Sequence, residues 1–156
     1  MERETLQDRL GREAFISLFL ASNQFDEQIE QLCRAEGISH PQYTVLWVLC
    51  LADAPGGLPM GALADGLLTR SADATRLVDR LLAAGHVIRE PSPGDRRVVL
   101  VSPTEQGLRL FERLTAEIKA LHRRQWRGLD GDEMRELIRL LNKARFTDAS
   151  RSPHAE

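Results

Sequence analysis

A mainly α-helical fold with one small β-hairpin is predicted for this chain, and three observations predict it. Apolar residues recur at three- and four-residue steps through most of its length, which is the spacing of amphipathic helices. One pair of β-prone runs, residues 86–90 and 98–101, flanks a polar loop holding Pro91, Pro93 and Gly94, and this reads as a hairpin. The stretch just before that pair is a short amphipathic helix: Ala74, Leu77, Val78, Leu81 and Leu82 recur at helical spacing, while Asp73, Arg76, Asp79 and Arg80 take the other faces. A short helix with a polar outer face, then a hairpin closing on Asp95-Arg96-Arg97, is the arrangement of a winged helix-turn-helix. Here it is expected between long N- and C-terminal dimerisation helices.

Taken in order, residues 5–34 read as one long helix on Leu6, Leu10, Phe15, Leu18, Phe19, Phe25, Ile29 and Leu32, with one slip near Ala14 and an end at Gly37. Ser39 caps a second helix with Pro41 in its first turn, where the missing N–H of proline has no helical partner to lose. That helix runs to about Asp53, and Tyr43, Leu46, Trp47, Leu49 and Cys50 make it apolar on most faces, so burial is expected for all of it. Asp53-Ala54-Pro55-Gly56-Gly57 is a break. A short strand over Leu58-Pro59-Met60 follows, then a short helix from Gly61 to Leu68 built on Leu63, Ala64 and Leu67.

Thr69 or Ser71 is the expected cap of the next helix, and Gly85 stands just past its end, where a left-handed turn is needed. After the hairpin, Pro103-Thr104-Glu105 opens a long helix with the stripe Leu108, Phe111, Leu114, Ile118 and Leu121, stopped by Gly128. Asp130 or Asp132 caps a final helix with Met134, Leu137, Ile138 and Leu141 on one side. The polar residues after Phe146 are expected to fray. These readings set one domain over 1–156, a winged helix-turn-helix lobe at 38–101, and a helical dimerisation region at 5–34 and 103–146. A helix of roughly 30 residues is about 45 Å long, more than the central lobe can cover. Its stripe therefore calls for a second copy of the chain.

Composition narrows the class further. A length of 156 residues suits one domain with its own core or a small domain plus an oligomerising extension. No apolar run approaches the ~20 residues that span a bilayer, and Met1-Glu2-Arg3-Glu4 lacks the layout of a secretory signal. The cysteines Cys33 and Cys50 are too few for a disulfide framework and suit a reducing cytoplasm. The net charge of −2 argues by itself against a nucleic-acid partner, but its distribution points the other way. Residues 1–68 carry four arginines against ten acidic groups, whereas residues 69–101 carry six arginines against four. Positive charge gathers where the short helix and hairpin begin. Such a helix can lie in the major groove of double-stranded DNA while the hairpin arginines reach a neighbouring groove.

The run Asp95-Arg96-Arg97 followed by Val101, Thr104 and Gly107 resembles the wing signature of the MarR (multiple antibiotic resistance regulator) family of bacterial transcription factors. That signature is Asp-x-Arg and then Leu/Val-x-Leu-Thr-x-x-Gly. Thr75-Arg76-Leu77-Val78-Asp79-Arg80-Leu81 and Ala84-Gly85 are similar to the family's recognition helix and its exit, and the order of six helices and one hairpin fits as well. Pro103 departs from the pattern, which usually has Leu there; in a first helical turn a proline costs the fold little. The resemblance implies that Arg97 enters the minor groove, that Asp95 holds it in place, and that Arg96 lies near phosphates. Ser71, Asp73, Thr75 and Arg76 would face the major groove, and Ser39, Arg70 and Arg80 complete the DNA-binding candidates. It further implies a homodimer on a near-palindromic operator, often controlled by a small phenolic or other aromatic ligand.

Several of these residues have plainer readings. Arg76 and Arg80 are equally solvated helix charges, with Arg80 free to pair with Asp79 or Asp73; the downstream wing is what favours DNA. Asp73 either complements the helix N-terminus, the preferred reading, or accepts from a cytosine amino group. Phe15, Phe19, Tyr43 and Trp47 are either core or, with Asn23 and His40, the lining of an apolar cavity with a few polar groups, as a small-ligand site requires. Cys33, beside Arg34, is the candidate for thiol-based redox sensing, which needs a lowered pKa and access. His40, His86, His122 and His154 show no metal-ligand spacing, and Asp130, Asp132 and Glu133 lack that of a calcium loop. No Gly-x-Ser-x-Gly elbow, phosphate loop or His-Glu-x-x-His run occurs, so neither an enzyme nor a cofactor is expected. The expectation is a cytoplasmic, dimeric, ligand-responsive repressor. The alternatives are a winged-helix protein-interaction module and a redox-sensing regulator acting through Cys33.

Overall fold

A computed structural model describes residues 5–52, 54, 56–67 and 74–146. Its elements are α1 (Leu6–Ala35), α2 (His40–Leu51), β1 (Leu58–Pro59), α3 (Met60–Gly66), α4 (Ala74–Ala83), β2 (Val87–Pro91), β3 (Val99–Pro103), α5 (Glu105–Gln125) and α6 (Gly131–Phe146). Several helices start at a side chain that takes up otherwise orphaned N–H groups. Thr5 and Asp8 form a reciprocal capping box at α1, and Ser39 and Gln42 form another at α2. Asp130, not Asp132, caps α6: its Oδ1 accepts from the N–H groups of Asp132 and Glu133, and the Glu133 carboxylate accepts from the Asp130 N–H.

The hairpin belongs to a three-stranded antiparallel sheet of order β1-β3-β2. Leu58 pairs with Val101 on one edge of β3, while Val87 through Pro91 pair with Pro103 through Val99 on the other. Pro103 is thus the last residue of the central strand, not part of a helical first turn as the sequence suggested. At a strand end its missing N–H interrupts no ladder, and the cap of α5 falls to Thr104, whose Oγ1 accepts from the Gly107 N–H at 3.0 Å.

The core gathers Tyr43, Val45, Leu46, Val48 and Leu49 of α2 with Leu63, Val78, Leu81, Val87, Val101, Leu110, Leu114 and Ile118. Two expectations change here, on α2 and on α5. On α2, Trp47 is 37% exposed and Cys50 is only half-buried, because the core takes up the face of Leu46 and Leu49 and leaves theirs at the rim. On α5, Leu110 and not Leu108 is buried; Gly107, Leu110, Leu114, Ile118 and Leu121 form the inward row, and Leu108 stands off it. On α1 only the C-terminal part meets α2, while Leu6, Leu10, Phe15, Ile16, Leu18, Phe19 and Leu20 are exposed.

Two compact units result, residues 1–121 and 122–156. The first contains the sheet and the core; the second contains α6, on which Ile138, Leu140 and Leu141 are exposed. Among the described residues no helix is long and apolar enough to cross a membrane.

Candidate nucleic-acid interface

Helix α4 is pinned by Ala74, Val78 and Leu81, which are buried. Helical geometry then turns Thr75, Arg76, Asp79 and Arg80 outward, and all four are exposed. Arg70, Ser71 and Asp73, with the expected cap at Thr69 or Ser71, lie outside the described residues. Asp79 pairs with Arg89 of β2 at 2.6 Å, a partner in the wing sheet that helical spacing could not show beside the neighbouring Arg80.

The wing loop is closed by its own backbone: the Ser92 N–H donates to the Val98 carbonyl at 2.8 Å and the Val98 N–H to the Asp95 carbonyl at 2.9 Å. Asp95 Oδ1 accepts from the Arg97 backbone N–H at 2.9 Å. Asp95 therefore holds Arg97 through the main chain, leaving the turn to aim the guanidinium. Arg96 and Arg97 are both exposed at the tip. Ser39 is half-buried and caps α2, its hydroxyl accepting from the Gln42 N–H at 3.4 Å, so its first task is helix initiation.

Helix, wing and α5 meet at a junction that sequence reasoning did not assign. Gly85 leaves α4 with φ +75°, a conformation costly for residues with a Cβ. Thr104 Oγ1 donates to the Gly85 carbonyl at 2.7 Å, and the Thr104 N–H donates to the His86 carbonyl at 3.0 Å. A Cβ on Gly107 would lie 2.0 Å from that same His86 oxygen. The motif Thr104-x-x-Gly107 is thus a clamp: threonine ties the exit of α4 to α5, and glycine lets the two backbones touch. The signal was present in the spacing, but its purpose was not. His86 sits in this junction with a lowered pKa, through burial and then the nearby Arg113 charge.

The ring candidates separate into two groups. Tyr43 is buried, stacks on Phe111 with ring centroids 6.0 Å apart, and shares a 3.1 Å hydrogen bond between its hydroxyl and that of Thr115. His40 stands 6.5 Å from the Tyr43 ring and meets Asp26 of α1 through Nδ1 at 2.6 Å. Phe15 and Phe19 instead stack on each other at 6.1 Å and are exposed. A rise of 1.5 Å per residue puts Phe15 about 16 Å along α1 from Asp26, so these rings do not join the Tyr43 group; Asn23 and Trp47 are exposed too. Phe111 and Thr115 belong to the group and were missed, being far from Tyr43 in sequence.

Cys33 is fully buried, and its thiol is pushed up to about 12 by burial first, then by the charges of Glu30 and Asp26. The adjacent Arg34 is engaged with Glu30 at 2.6 Å. This is the reverse of the accessible, acidified thiol that sensing requires. Among the described residues no group of His, Cys, Asp or Glu is placed to hold a metal ion.

Comparison with known proteins identifies the arrangement. A model of the MarR family matches residues 36–98, the span from just after α1 to the loop before β3. The chain is 32% identical to the HTH-type transcriptional regulator PrsX of Escherichia coli, over 79% of this chain and 73% of PrsX. It is 34% identical to the multiple antibiotic resistance protein MarR of Salmonella typhimurium, over 62% of this chain and 67% of that one. The chain belongs to the MarR family. It is also 28% identical to the HTH-type transcriptional repressor IacR of Pseudomonas putida, over 86% of this chain and 80% of IacR. A mutant MarR from E. coli complexed with operator DNA has a TM-score of 0.75 at 25% identity, covering 90% of this chain and 98% of that one. CouR from Rhodococcus jostii, solved bound to p-coumaroyl-CoA, has the same fold, with a TM-score of 0.72 at 24% identity over 93% of this chain and 97% of CouR. As a MarR-family member, this protein is a DNA-binding transcriptional regulator.

Proposed function

We propose that this regulator is a cytoplasmic homodimeric repressor that binds a near-palindromic operator and is released from it by a small aromatic ligand. The observation that carries the DNA reading is the pairing of exposed Arg76 and Arg80 on α4 with exposed Arg96 and Arg97 at a backbone-closed wing tip. One clamp at Thr104 frames both elements. The helix reads the major groove and the wing arginines enter the adjacent minor groove. Repression is supported by IacR, itself named a repressor. The dimer is supported by the exposed apolar residues on the first half of α1 and on α6; residues 5–34 and 103–146 are assigned as its scaffold and 38–101 as the reader.

The ligand reading rests on Tyr43, His40, Phe111 and Thr115, rings with a few polar groups where α1, α2 and α5 converge. CouR, with a ligand bearing an aromatic acyl group, is the parallel. A ligand there acts only through differential affinity for the DNA-competent and DNA-incompetent arrangements.

The test begins with a duplex that the protein selects from a random pool. Affinity for it should fall steeply and log-linearly with salt as counterions are released. A salt-independent interaction, or no selected sequence, would favour a protein-interaction module instead. A reporter behind the selected site should be silenced by the protein and restored by the effective members of a panel of phenols and aromatic carboxylates. By linkage, those compounds must bind the operator complex more weakly than the free protein; equal binding would exclude them as effectors.

A further inference from the structure

Asp79 stands on the exposed face of α4, one turn beyond Thr75 and Arg76, where phosphates would repel a carboxylate. It is met from the wing sheet: Arg89 Nη1 reaches Asp79 Oδ1 at 2.6 Å. Arg89 is held by register, its Cα opposite Val101, the fully buried residue of the central strand. Its side chain is mostly buried, and its Nε has no hydrogen-bond partner. Asp79 is therefore the group that compensates a largely desolvated guanidinium, and the pair is a second tie between α4 and β2 besides the Gly85 turn. A largely buried guanidinium without its carboxylate would have to turn out toward water, loosening the α4–β2 contact.

We propose that Asp79 and Arg89 are positioning residues for operator recognition: their ion pair locks α4 to the first wing strand, so that helix and wing-tip arginines meet DNA at one fixed separation. The same pair keeps the Asp79 carboxylate from facing phosphate unneutralised. The proposal rests on the operator-binding reading above and adds to it which contacts set the geometry of reading. Fixed geometry matters for discrimination more than for affinity at large, because random duplex is held mainly by phosphate contacts that tolerate small displacements, whereas base-edge contacts do not.

The experiment compares the parent with Asp79→Asn, Arg89→Gln and the double variant, each shown by thermal melting to be folded at the assay temperature. Each binds two probes across a salt series: the duplex selected by the parent and a random duplex of equal length. Each single variant should lose about tenfold in selected-over-random preference, and the double should lose no more than the worse single, because one interaction is removed either way. The salt slope should match the parent's. If a single variant does not fold, Asp79→Glu and Arg89→Lys, which keep the charges and change the reach, carry the same test with a smaller loss expected. Asp79→Asn binding the selected duplex as tightly as the parent would overturn the proposal. So would an Arg89→Gln that weakens both probes equally with a slope shallower by about one, the mark of a phosphate contact. A parent with no preference for any duplex would overturn the operator reading and this proposal together, while a discriminating parent with indifferent variants overturns this proposal alone.

Discussion

Arg97 owes its place to three short polar contacts, none involving its own side chain: Asp95 Oδ1 takes its backbone N–H, and two further backbone bonds close the loop. Its truncation should therefore leave the turn intact, so that a loss of binding can be read as a lost contact. Arg97→Ala is expected to weaken binding to the selected duplex by about 1–3 kcal/mol with an unchanged melting temperature; equal affinity at matched salt would remove Arg97 from the interface. Cys33 makes the opposite kind of statement, since burial and two acidic neighbours push its thiol up to about 12. In the native protein it should resist a thiol reagent at pH 8 and become reactive only on unfolding, and mild peroxide should leave DNA binding unchanged. Rapid native labelling of Cys33 would restore redox control to consideration. His86 should be visible in the pH dependence of stability. Burial and Arg113 lower its pKa below the ordinary 6.5, so the unfolded chain takes up the proton more readily than the folded one. Its contribution is complete above pH 6.5 and is lost as pH falls through the folded value. Melting temperature should start to decline just below pH 6.5, and His86→Gln should flatten that part of the profile.

The elements differ in how much of them local chemistry decides. Ser39, Pro41 and Gly85 announce helix ends because capping and a left-handed turn are properties of adjacent residues, and each stands where such rules put it. Buried positions of α4 follow from a single period, so its outward arginines were legible too. What was not legible is set by partners far along the chain. Pro103 looked like a helical first turn until Val87 paired with it, and the short strand read at Leu58-Pro59 gained its place at the sheet edge only through Val101 and Leu100. On α5, two interleaved apolar rows were available, and contact with the rest of the core chose the row of Leu110 over that of Leu108. Asp79 with Arg89 and Tyr43 with Phe111 are tertiary pairs of the same kind. The junction of α4, β2 and α5 shows how tightly such non-local choices bind once made. Gly107→Ala would drive a methyl group into the His86 carbonyl, and a backbone atom cannot swing aside as a side-chain tip can. That substitution should cost on the order of 3 kcal/mol in denaturant unfolding, whereas Gly94→Ala, with open space around it, should cost little. Comparable losses for both would mean that the clamp is looser than its distances indicate.

Burial of α1 changes along its length: Cys33 is fully buried near one end, while Phe15 is 66% exposed toward the other. A lone chain would leave Leu6, Leu10, Phe15, Ile16, Leu18, Phe19 and Leu20 facing water along the first half of α1, and exposed apolar side chains gathered on one segment are a mark of interaction surfaces. A second copy is the economical cover, since a two-fold axis buries the same residues twice. The consequence for function is geometric. In the proposed dimer, two readers on one scaffold would address two half-sites about 10 base pairs apart, the second binding as an intramolecular event once the first is down. Replacing Phe15 and Phe19 together by Glu separates the two roles that apolar residues can have. Both are exposed within one protomer, so the pair of substitutions should cost the central core little, yet it would place four carboxylates in a symmetric interface. The expected outcome in sedimentation at micromolar concentration is a dimeric parent and a variant shifted toward monomer. Affinity for the full operator should fall by about a hundredfold, the lower end of the range that linked sites gain, whereas affinity for a single half-site should stay near the parent's. A parent that sediments as a stable monomer would end the argument. A variant that remains dimeric would move the interface off this part of α1, leaving the exposed residues of α6 as the surface to substitute next.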